Sequence, residues 1–130
     1  EQIDPLFVIS LTNPKKPTIL GELKIPGYST YLHPYDSDRL IGLGYDTKTN
    51  SWGGTQNAGI KVDLYNVRDV KNPKQEQSLV IGSVGSSTDA IWNPKLFTYY
   101  KERGMLLLPG TYTKSANDPN DIYRSSDVYQ

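Results

Sequence analysis

The sequence lacks cysteine, and this absence excludes several kinds of chemistry at once. Its 130 residues contain no cysteine and only one histidine. Disulfides, thiolate metal sites and cysteine nucleophiles are therefore excluded. A transition-metal site is not expected either, because such sites draw mainly on several cysteine or histidine ligands. The absence does not assign a compartment, since a secreted β-protein can fold without disulfides.

The sequence also lacks an excess of charge of either sign, and it lacks long apolar runs. The 14 basic and 14 acidic residues cancel to a formal net charge of zero and are well mixed along the chain. A nucleic-acid binder or a binder of anionic membranes would need a basic patch, which the sequence does not supply. No apolar stretch is long enough to predict a transmembrane helix. Residues 1–5 lack the basic start and apolar core of a signal peptide.

The composition that is present favours an all-β fold. Ten tyrosines and two tryptophans stand against two phenylalanines, and eleven glycines and nine prolines are spread through the chain. Tyrosine and tryptophan suit half-buried sheet surfaces and wet binding faces, because each has an apolar body and a polar tip. Frequent glycine and proline between short strand-like segments predict many turns.

Residues 9–27 and 65–83 read as the same strand-turn-strand unit, 56 positions apart. Four pairs of identical residues support this offset: Lys15/Lys71, Pro17/Pro73, Leu23/Leu79 and Ile25/Ile81. A fixed period of this size predicts an array architecture such as a propeller or solenoid. Two ordinary hairpins that share turn chemistry are the alternative, and the two Asn-Pro pairs also allow an offset of 59.

The order of the predicted strands fits antiparallel four-stranded propeller blades. We predict an outer half blade at 6–27, a complete blade at 28–83 (strands from about 29 to 82), an inner half blade at 84–112, and a polar tail at 113–130 that leads to a missing strand. Asp46–Gly59 is predicted to be a polar loop. Asp89–Tyr100 is ambiguous, and its β-branched and aromatic content favours a strand.

Residues 4–46 resemble a secreted prokaryotic β-propeller family that is distantly related to WD40 repeats. The best marker is Ile25-Pro26-Gly27 followed by Leu32-His33-Pro34-Tyr35, and the similarity continues through 60–110. The resemblance implies a partial propeller of about two blades whose partners are the remaining blades of a longer parent chain. It also implies an extracellular or cell-surface location, and it implies no reaction.

The turn that follows His33 offers ionisable side chains but little catalytic promise. Because the chain has only one histidine, we predict that His33 braces the turn through a ring nitrogen. His33, Tyr35 and Asp36 are also candidate binding residues. Asp36-Ser37-Asp38 and the run 117–121 supply oxygen ligands, but neither matches a calcium loop. We expect turns at both places, no cofactor, no dedicated metal site, and at most adventitious calcium.

Trp52 is the residue whose surroundings most suggest a function. It lies between Ser51 and Gly53-Gly54 in a polar stretch with no obvious core to fill, so it is a candidate for stacking on a sugar or anchoring a partner. Trp92, beside Asn93-Pro94, is a second candidate, although its neighbours favour a role as core or inter-blade filler. No catalytic residue is assigned.

The sequence therefore predicts a non-enzymatic extracellular or surface module that binds protein or polysaccharide. Part of a glycan-active hydrolase or lyase, with its site completed outside this chain, is one alternative. A structural part of a surface assembly is another. The half blades leave unpaired edges and apolar faces, so self-association is also predicted.

Overall fold

The computed structural model describes residues 4–114 and the backbone of Val128–Tyr129. In that part of the chain every paired strand is antiparallel and the helices are single 3-10 turns, so the all-β prediction is confirmed. The strands are β1 Leu6–Ser10, β2 Thr18–Leu23, β3 Tyr28–Pro34, β4 Arg39–Thr49, β5 Thr55–Asn66, β6 Lys74–Ile81, β7 Thr98–Tyr100, β8 Met105–Leu107, β9 Tyr112–Thr113 and β10 Val128–Tyr129. The 3-10 turns are Asp89–Ile91, Pro94–Leu96 and Lys101–Arg103.

The centre of the molecule is a four-stranded sheet in the order β3-β4-β5-β6. One side, which we call the apolar face, carries Ile41, Leu43, Ile60 and Val62. Segment 89–108 covers this face and contributes side chains to the same core, namely Ala90, Ile91, Leu96, Phe97, Tyr99, Leu106 and Leu108. Complete burial of a leucine such as Leu43 stabilises the fold by about 2 kcal/mol.

The opposite side of the sheet, which we call the polar face, carries Lys61, Asp63 and Tyr65 of β5, all of them buried. The β1–β2 sheet and the connection after it cover part of this face. At Gly21 of β2 an added Cβ would lie 2.2 Å from the carbonyl oxygen of Val70, so only glycine permits this approach of the two sheets. Because β5 is buried on both sides, its polar side chains must find hydrogen-bond partners inside the protein.

The 56-residue repeat is visible in the pairing of the strands. Ile9 pairs with Ile19, and the equivalent Tyr65 pairs with Gln75; in both hairpins the register shifts at the same step. The turns agree as well, because Asn13 and Asp69 each accept a hydrogen bond from the backbone two residues later, at 3.2 and 3.1 Å. The offset of 56 therefore describes the repeat better than 59.

Two local predictions were wrong. Asp46–Gly59 is not a loop for most of its length, because β4 and β5 continue through it as a hairpin. Asp89–Tyr100 is not one strand: Thr88 and Asn93 cap two 3-10 turns before β7 begins. Most of the predicted polar tail at 113–130 lies outside the described residues. Of its described part, β10 pairs with β9. The helices among the described residues are three-residue 3-10 turns, and none of them could span a membrane.

Replacement of Gly42 on the polar face should destabilise the sheet. An added Cβ at Gly42 would lie 2.5 Å from Cε2 of Tyr65 and 2.7 Å from Oγ of Ser29. We expect Gly42→Ala to lower the free energy of unfolding by about 2 kcal/mol, measured by urea denaturation, because such overpacking forces buried groups apart. Ser78→Ala, at an exposed position of β6, is the control. Equal stability of the two variants would show that Gly42 is not a packing requirement.

Candidate functional site

A hairpin extends beyond the body of the four-stranded sheet. Tyr45 of β4 pairs with Tyr28, near the start of β3, and Ile60 of β5 pairs with Ile81, the last residue of β6. The pairs from Asp46↔Gly59 to Thr49↔Thr55 therefore have no described strand on either side. We call residues 46–59 the hairpin arm.

The tip of the hairpin arm holds Trp52 in a fixed turn. Oδ1 of Asn50 accepts hydrogen bonds from the backbone N–H groups of Trp52 and Gly54, at 3.0 and 2.9 Å. The Asn50 N–H donates in turn to the carbonyl of Gly54 at 2.7 Å, and Gly53 adopts a positive φ of 79°. Trp52 is 92% exposed at this tip. A large apolar ring is thus presented to solvent by an ordered backbone.

Trp92 lies toward the same end of the sheet. It follows the 3-10 turn Asp89–Ile91 and donates its backbone N–H to the carbonyl of Asp89 at 3.0 Å. That turn sits beside Tyr45, whose pKa is raised chiefly by burial and is lowered in part by a hydrogen bond from the Thr88 backbone. Trp92 is 80% exposed, so within the described residues it does not fill a core.

His33 belongs to an aromatic cluster rather than to the turn that follows it. Its Nδ1 lies 3.0 Å from the hydroxyl of Tyr31, and its ring centroid lies 4.8 Å from that of Phe97 and 5.9 Å from that of Tyr99. Tyr35 extends the cluster, with its ring 5.5 Å from Tyr99. The ring contacts join β3 to β7 and to the residue before it, whereas the bonded ring nitrogen holds His33 to Tyr31 within β3.

Asp36 is occupied by neighbours within its own turn. Its Oδ1 accepts the Asp38 N–H at 2.9 Å, and its Oδ2 lies 2.7 Å from a guanidinium nitrogen of Arg39. The Asp38 N–H and then the Arg39 guanidinium hold the pKa of Asp36 below its ordinary value. No group of three metal-ligating side chains occurs in the described part of the chain, and the run 117–121 lies outside it.

The predicted site residues therefore separate into two groups. His33, Tyr35 and Asp36 lie at or near the β3–β4 turn, and Trp52 and Trp92 lie toward the opposite end of the sheet. No described ring contact or hydrogen bond joins the two tryptophans. The end that carries the hairpin arm and both tryptophans is the candidate binding surface.

A buried polar network on the polar face was not predicted from the sequence. Asp63 is 2% exposed; its Oδ1 accepts from Gln75 and its Oδ2 from the Tyr65 hydroxyl, both at 2.8 Å. Nζ of Lys61 lies 3.5 Å from the same Oδ2. Lys61 also donates to the carbonyl of Pro26 at 2.6 Å. The network ties β5 to β6 and to the connection that follows β2.

The hydroxyl of Tyr65 is the most perturbed group of this network. It lies 3.0 Å from Oγ of Ser29 while it donates to Asp63. Burial is the main cause that raises the pKa of Tyr65 far above its ordinary value; the carboxylate of Asp63 raises it further, and the bond to Ser29 lowers it. The phenol is thus kept neutral and acts as a donor. Because the polar groups of the network are hydrogen-bond partners of one another, the network holds strands in place and offers no free nucleophile.

The family of the chain follows from this architecture and from comparison with known proteins. A family model described as "Beta propeller domain" matches residues 1–130. The chain belongs to the β-propeller domain family. The recognition made from the sequence is thereby confirmed at the level of the family, and the antiparallel sheets agree with it.

Relatives of this β-propeller chain occur in archaea. An uncharacterised protein of Methanocaldococcus jannaschii is 48% identical over 75 residues, which cover 58% of this chain and 11% of that protein. An uncharacterised protein of Archaeoglobus fulgidus is 32% identical over 108 residues, or 83% of this chain and 16% of that protein. The chain thus corresponds to less than a fifth of the length of either relative. No solved structure matches it.

Membership of the β-propeller family indicates a binding or scaffold kind of function. Both tryptophans were predicted as candidates from the sequence, whereas the buried network was not predicted. Lys61, Asp63 and Tyr65 alternate with Val62 and Leu64, a pattern that predicts a solvent-facing polar side. The partners of these side chains lie on other elements and are invisible in a local pattern.

Removal of the Tyr65 hydroxyl should change how stability depends on pH. Because the pKa of Tyr65 is raised in the folded state, its contribution is complete below the ordinary phenol value of about 10 and is lost as pH rises beyond it. We expect Tyr65→Phe to cost about 1–2 kcal/mol at pH 7 through the lost hydrogen bonds. Its free energy of unfolding should then fall less steeply above pH 10 than that of the unmodified chain.

Urea denaturation at a series of pH values measures this difference. Tyr100→Phe, at an exposed tyrosine, is the matched control and should keep the alkaline slope of the unmodified chain. If Tyr65→Phe and Tyr100→Phe lose stability equally between pH 7 and the alkaline limit, the buried phenol has no special role.

Proposed function

We propose that this β-propeller chain is a non-enzymatic binding module of the cell surface or extracellular space, and that its ligand is a neutral polysaccharide. The hairpin arm makes the contact, and Trp52 is the central anchor. The exposure of Trp52 on a rigid turn is the observation on which this proposal depends.

A rigid tryptophan is well suited to stack on the apolar face of a sugar ring. The ring contributes a large contact area, and its backbone is already ordered by Asn50, so little conformational freedom is lost on binding. Tryptophan is also among the residue types that most often dominate the energy of an interface. The same features would serve a protein partner, which the experiment below distinguishes.

The composition of the hairpin arm favours a neutral polysaccharide over a protein. Only Asp46 and Lys48 are charged among its residues, whereas Asn50, Gln56 and Asn57 offer amide groups and several threonines and a serine offer hydroxyls. Amides both donate and accept hydrogen bonds, as recognition of sugar hydroxyls requires. Trp92, toward the same end of the sheet, supplies a second exposed ring.

We propose further that residues 28–83 form one complete blade, with half blades at 6–27 and 84–112. Three observations support this arrangement: the four-stranded order of β3 to β6, the equivalent pairing of β1–β2 and β5–β6, and the hairpin β7–β8 packed on the apolar face.

Replacement of Trp52 tests the proposed function. We expect Trp52→Ala to weaken binding to a neutral polysaccharide by about tenfold or more, because the stacked ring is lost while the fold is unchanged. Binding is measured by affinity electrophoresis against a panel of neutral polysaccharides. Quenching of tryptophan fluorescence in a Trp92→Phe background, where Trp52 is the only tryptophan, gives an independent readout.

Asn50→Ala should give a smaller loss, because it loosens the turn without removing the ring. Ser51→Ala, between these two residues, is the matched control and should bind as the unmodified chain does. Unchanged affinity of Trp52→Ala would refute the proposed contact. Capture of a protein with no polysaccharide bound would refute the ligand class, and turnover of a bound polysaccharide would identify the glycan-active enzyme instead.

A further inference from the structure

One buried hydroxyl of the hairpin arm has no hydrogen-bond partner among the described residues. It is Oγ1 of Thr47, the second residue of the arm. A buried hydroxyl without a partner lowers stability, because it has given up its bonds to water and has gained none in return. Buried polar groups in native proteins are nearly always hydrogen-bonded, so the Thr47 hydroxyl is an exception that needs an explanation.

Strand pairing places three further side chains on the same side of the sheet as Thr47. Tyr45 precedes Thr47 by two residues on β4, and side chains two residues apart on a strand share a side. Tyr28 of β3 pairs directly with Tyr45. Asn57 of β5 pairs directly with Thr47. Because Tyr28 and Tyr45 pack with the core of the apolar face, all four side chains lie on that side.

The side chain of Tyr28 crosses β4 to reach the hairpin arm. Its hydroxyl donates to Oδ1 of Asn57 at 3.2 Å, although β4 lies between the strands that carry these two residues. Neighbouring strands are about 4.8 Å apart, so the gap from β3 to β5 is roughly 10 Å. The phenol therefore lies over β4 between Tyr45 and Thr47, and its ring covers the Thr47 hydroxyl.

The contact that holds Tyr28 in this place is weak. Its hydrogen bond to Asn57 is exposed, and the length of 3.2 Å exceeds the usual O–H···O distance of about 2.8 Å. Its ring meets that of Tyr45 edge-on, with the centroids 6.0 Å apart. A ligand hydroxyl can replace an exposed bond of this kind at little cost. A change of side-chain rotamer at Tyr28 then uncovers Asn57 and Thr47 without moving the backbone.

The uncovered groups match a hydroxyl of a sugar. Oδ1 of Asn57 accepts the bond that Tyr28 donates in the free chain, and the amide nitrogen of Asn57 is a donor. The hydroxyl of Thr47 both donates and accepts. A sugar hydroxyl does the same, so it satisfies both side chains at once. The phenol of Tyr28 thus occupies the place of a ligand hydroxyl.

The position also suits a ligand that stacks on Trp52. Thr47 lies two residues before Thr49, the last residue of β4, which corresponds to roughly 7 Å along the arm toward its tip. Trp92 follows the turn Asp89–Ile91, and this turn packs on the same apolar face. A chain of a few sugar units can therefore reach from the tip to the base of the arm.

We propose that Thr47 and Asn57 form a second contact site for the ligand and that Tyr28 is its displaceable cover. On binding, a hydroxyl of the neutral polysaccharide replaces the Tyr28 hydroxyl on Asn57 and supplies the missing partner of Thr47. This site rests on the proposed function, since its ligand is the same polysaccharide. The unpartnered hydroxyl is then a group that serves binding at the expense of stability.

The stability of the free chain gives a first test that needs no ligand. Thr47→Val replaces the unpartnered hydroxyl by a methyl group of similar size, so we expect it to raise the urea midpoint of unfolding. Thr18→Val, at an exposed threonine of β2, is the matched control and should leave the midpoint unchanged. A midpoint for Thr47→Val that does not exceed that of Thr18→Val would overturn the proposal.

Affinity electrophoresis in gels that contain dextran, laminarin or galactomannan gives the second test. We expect Thr47→Val and Asn57→Ala each to weaken binding about fivefold, because a hydrogen bond to the ligand is lost. Tyr28→Phe should strengthen binding about threefold, because the competing hydroxyl is gone. Tyr100→Phe, at an exposed tyrosine, is the matched control, and far-UV circular dichroism verifies the fold of every variant.

Weaker binding by Tyr28→Phe would refute the displaceable cover, because the phenol would then support the ligand. The comparison with Trp52→Ala separates the second contact site from the proposed function. If Trp52→Ala loses binding while Thr47→Val and Tyr28→Phe bind as the unmodified chain does, the second site is refuted and the proposed function stands. If no neutral polysaccharide binds the unmodified chain, both are refuted.

Discussion

The arrangement of the sheets depends on the hydrogen bonds and the ion pair that hold the buried carboxylate of Asp63. A carboxylate that is 2% exposed is strongly unfavourable unless hydrogen bonds and a counter-charge compensate for the lost water. Here Gln75, Tyr65 and Lys61 supply them from three directions. Because Lys61 also reaches the carbonyl of Pro26, the network fixes the position of the chain as it leaves the β1–β2 sheet and enters β3. Loss of Lys61 would leave the charge of Asp63 buried without its counter-charge.

The two sides of the central sheet consequently differ in what they demand of their neighbours. The apolar face tolerates any well-shaped hydrophobic cover, and segment 89–108 provides it through Phe97 and its neighbours. The polar face requires close backbone approach, which glycine at positions 21 and 42 permits. Much of both faces is thus committed to packing, whereas the hairpin arm extends beyond the body of the sheet. The arm carries Trp52 at its tip, and Trp92 lies toward the same end.

Much of the fold could be predicted from the sequence because its signals are local. Prolines and Asn13 mark a turn, and alternation of apolar residues marks β5. The hairpin arm was missed because 46–59 has no apolar alternation; its strands are paired through backbone hydrogen bonds that leave no hydrophobic pattern. The turn before Trp92 was missed because capping by Thr88 and Asn93 outweighed the strand propensity of the segment. The buried network was invisible because its members come from separate elements.

Measurement of the coupling energy between Asp63 and Tyr65 tests most directly whether the buried network holds the sheets together. Asp63→Ala and Tyr65→Phe, alone and together, form a double-mutant cycle in the free energy of unfolding at pH 7. If the two groups act as one buried unit, the double variant should lose less stability than the sum of the single losses, with a coupling energy of about 1–3 kcal/mol. Additive losses would contradict the account, because they would mean that the carboxylate and the phenol contribute to the fold independently.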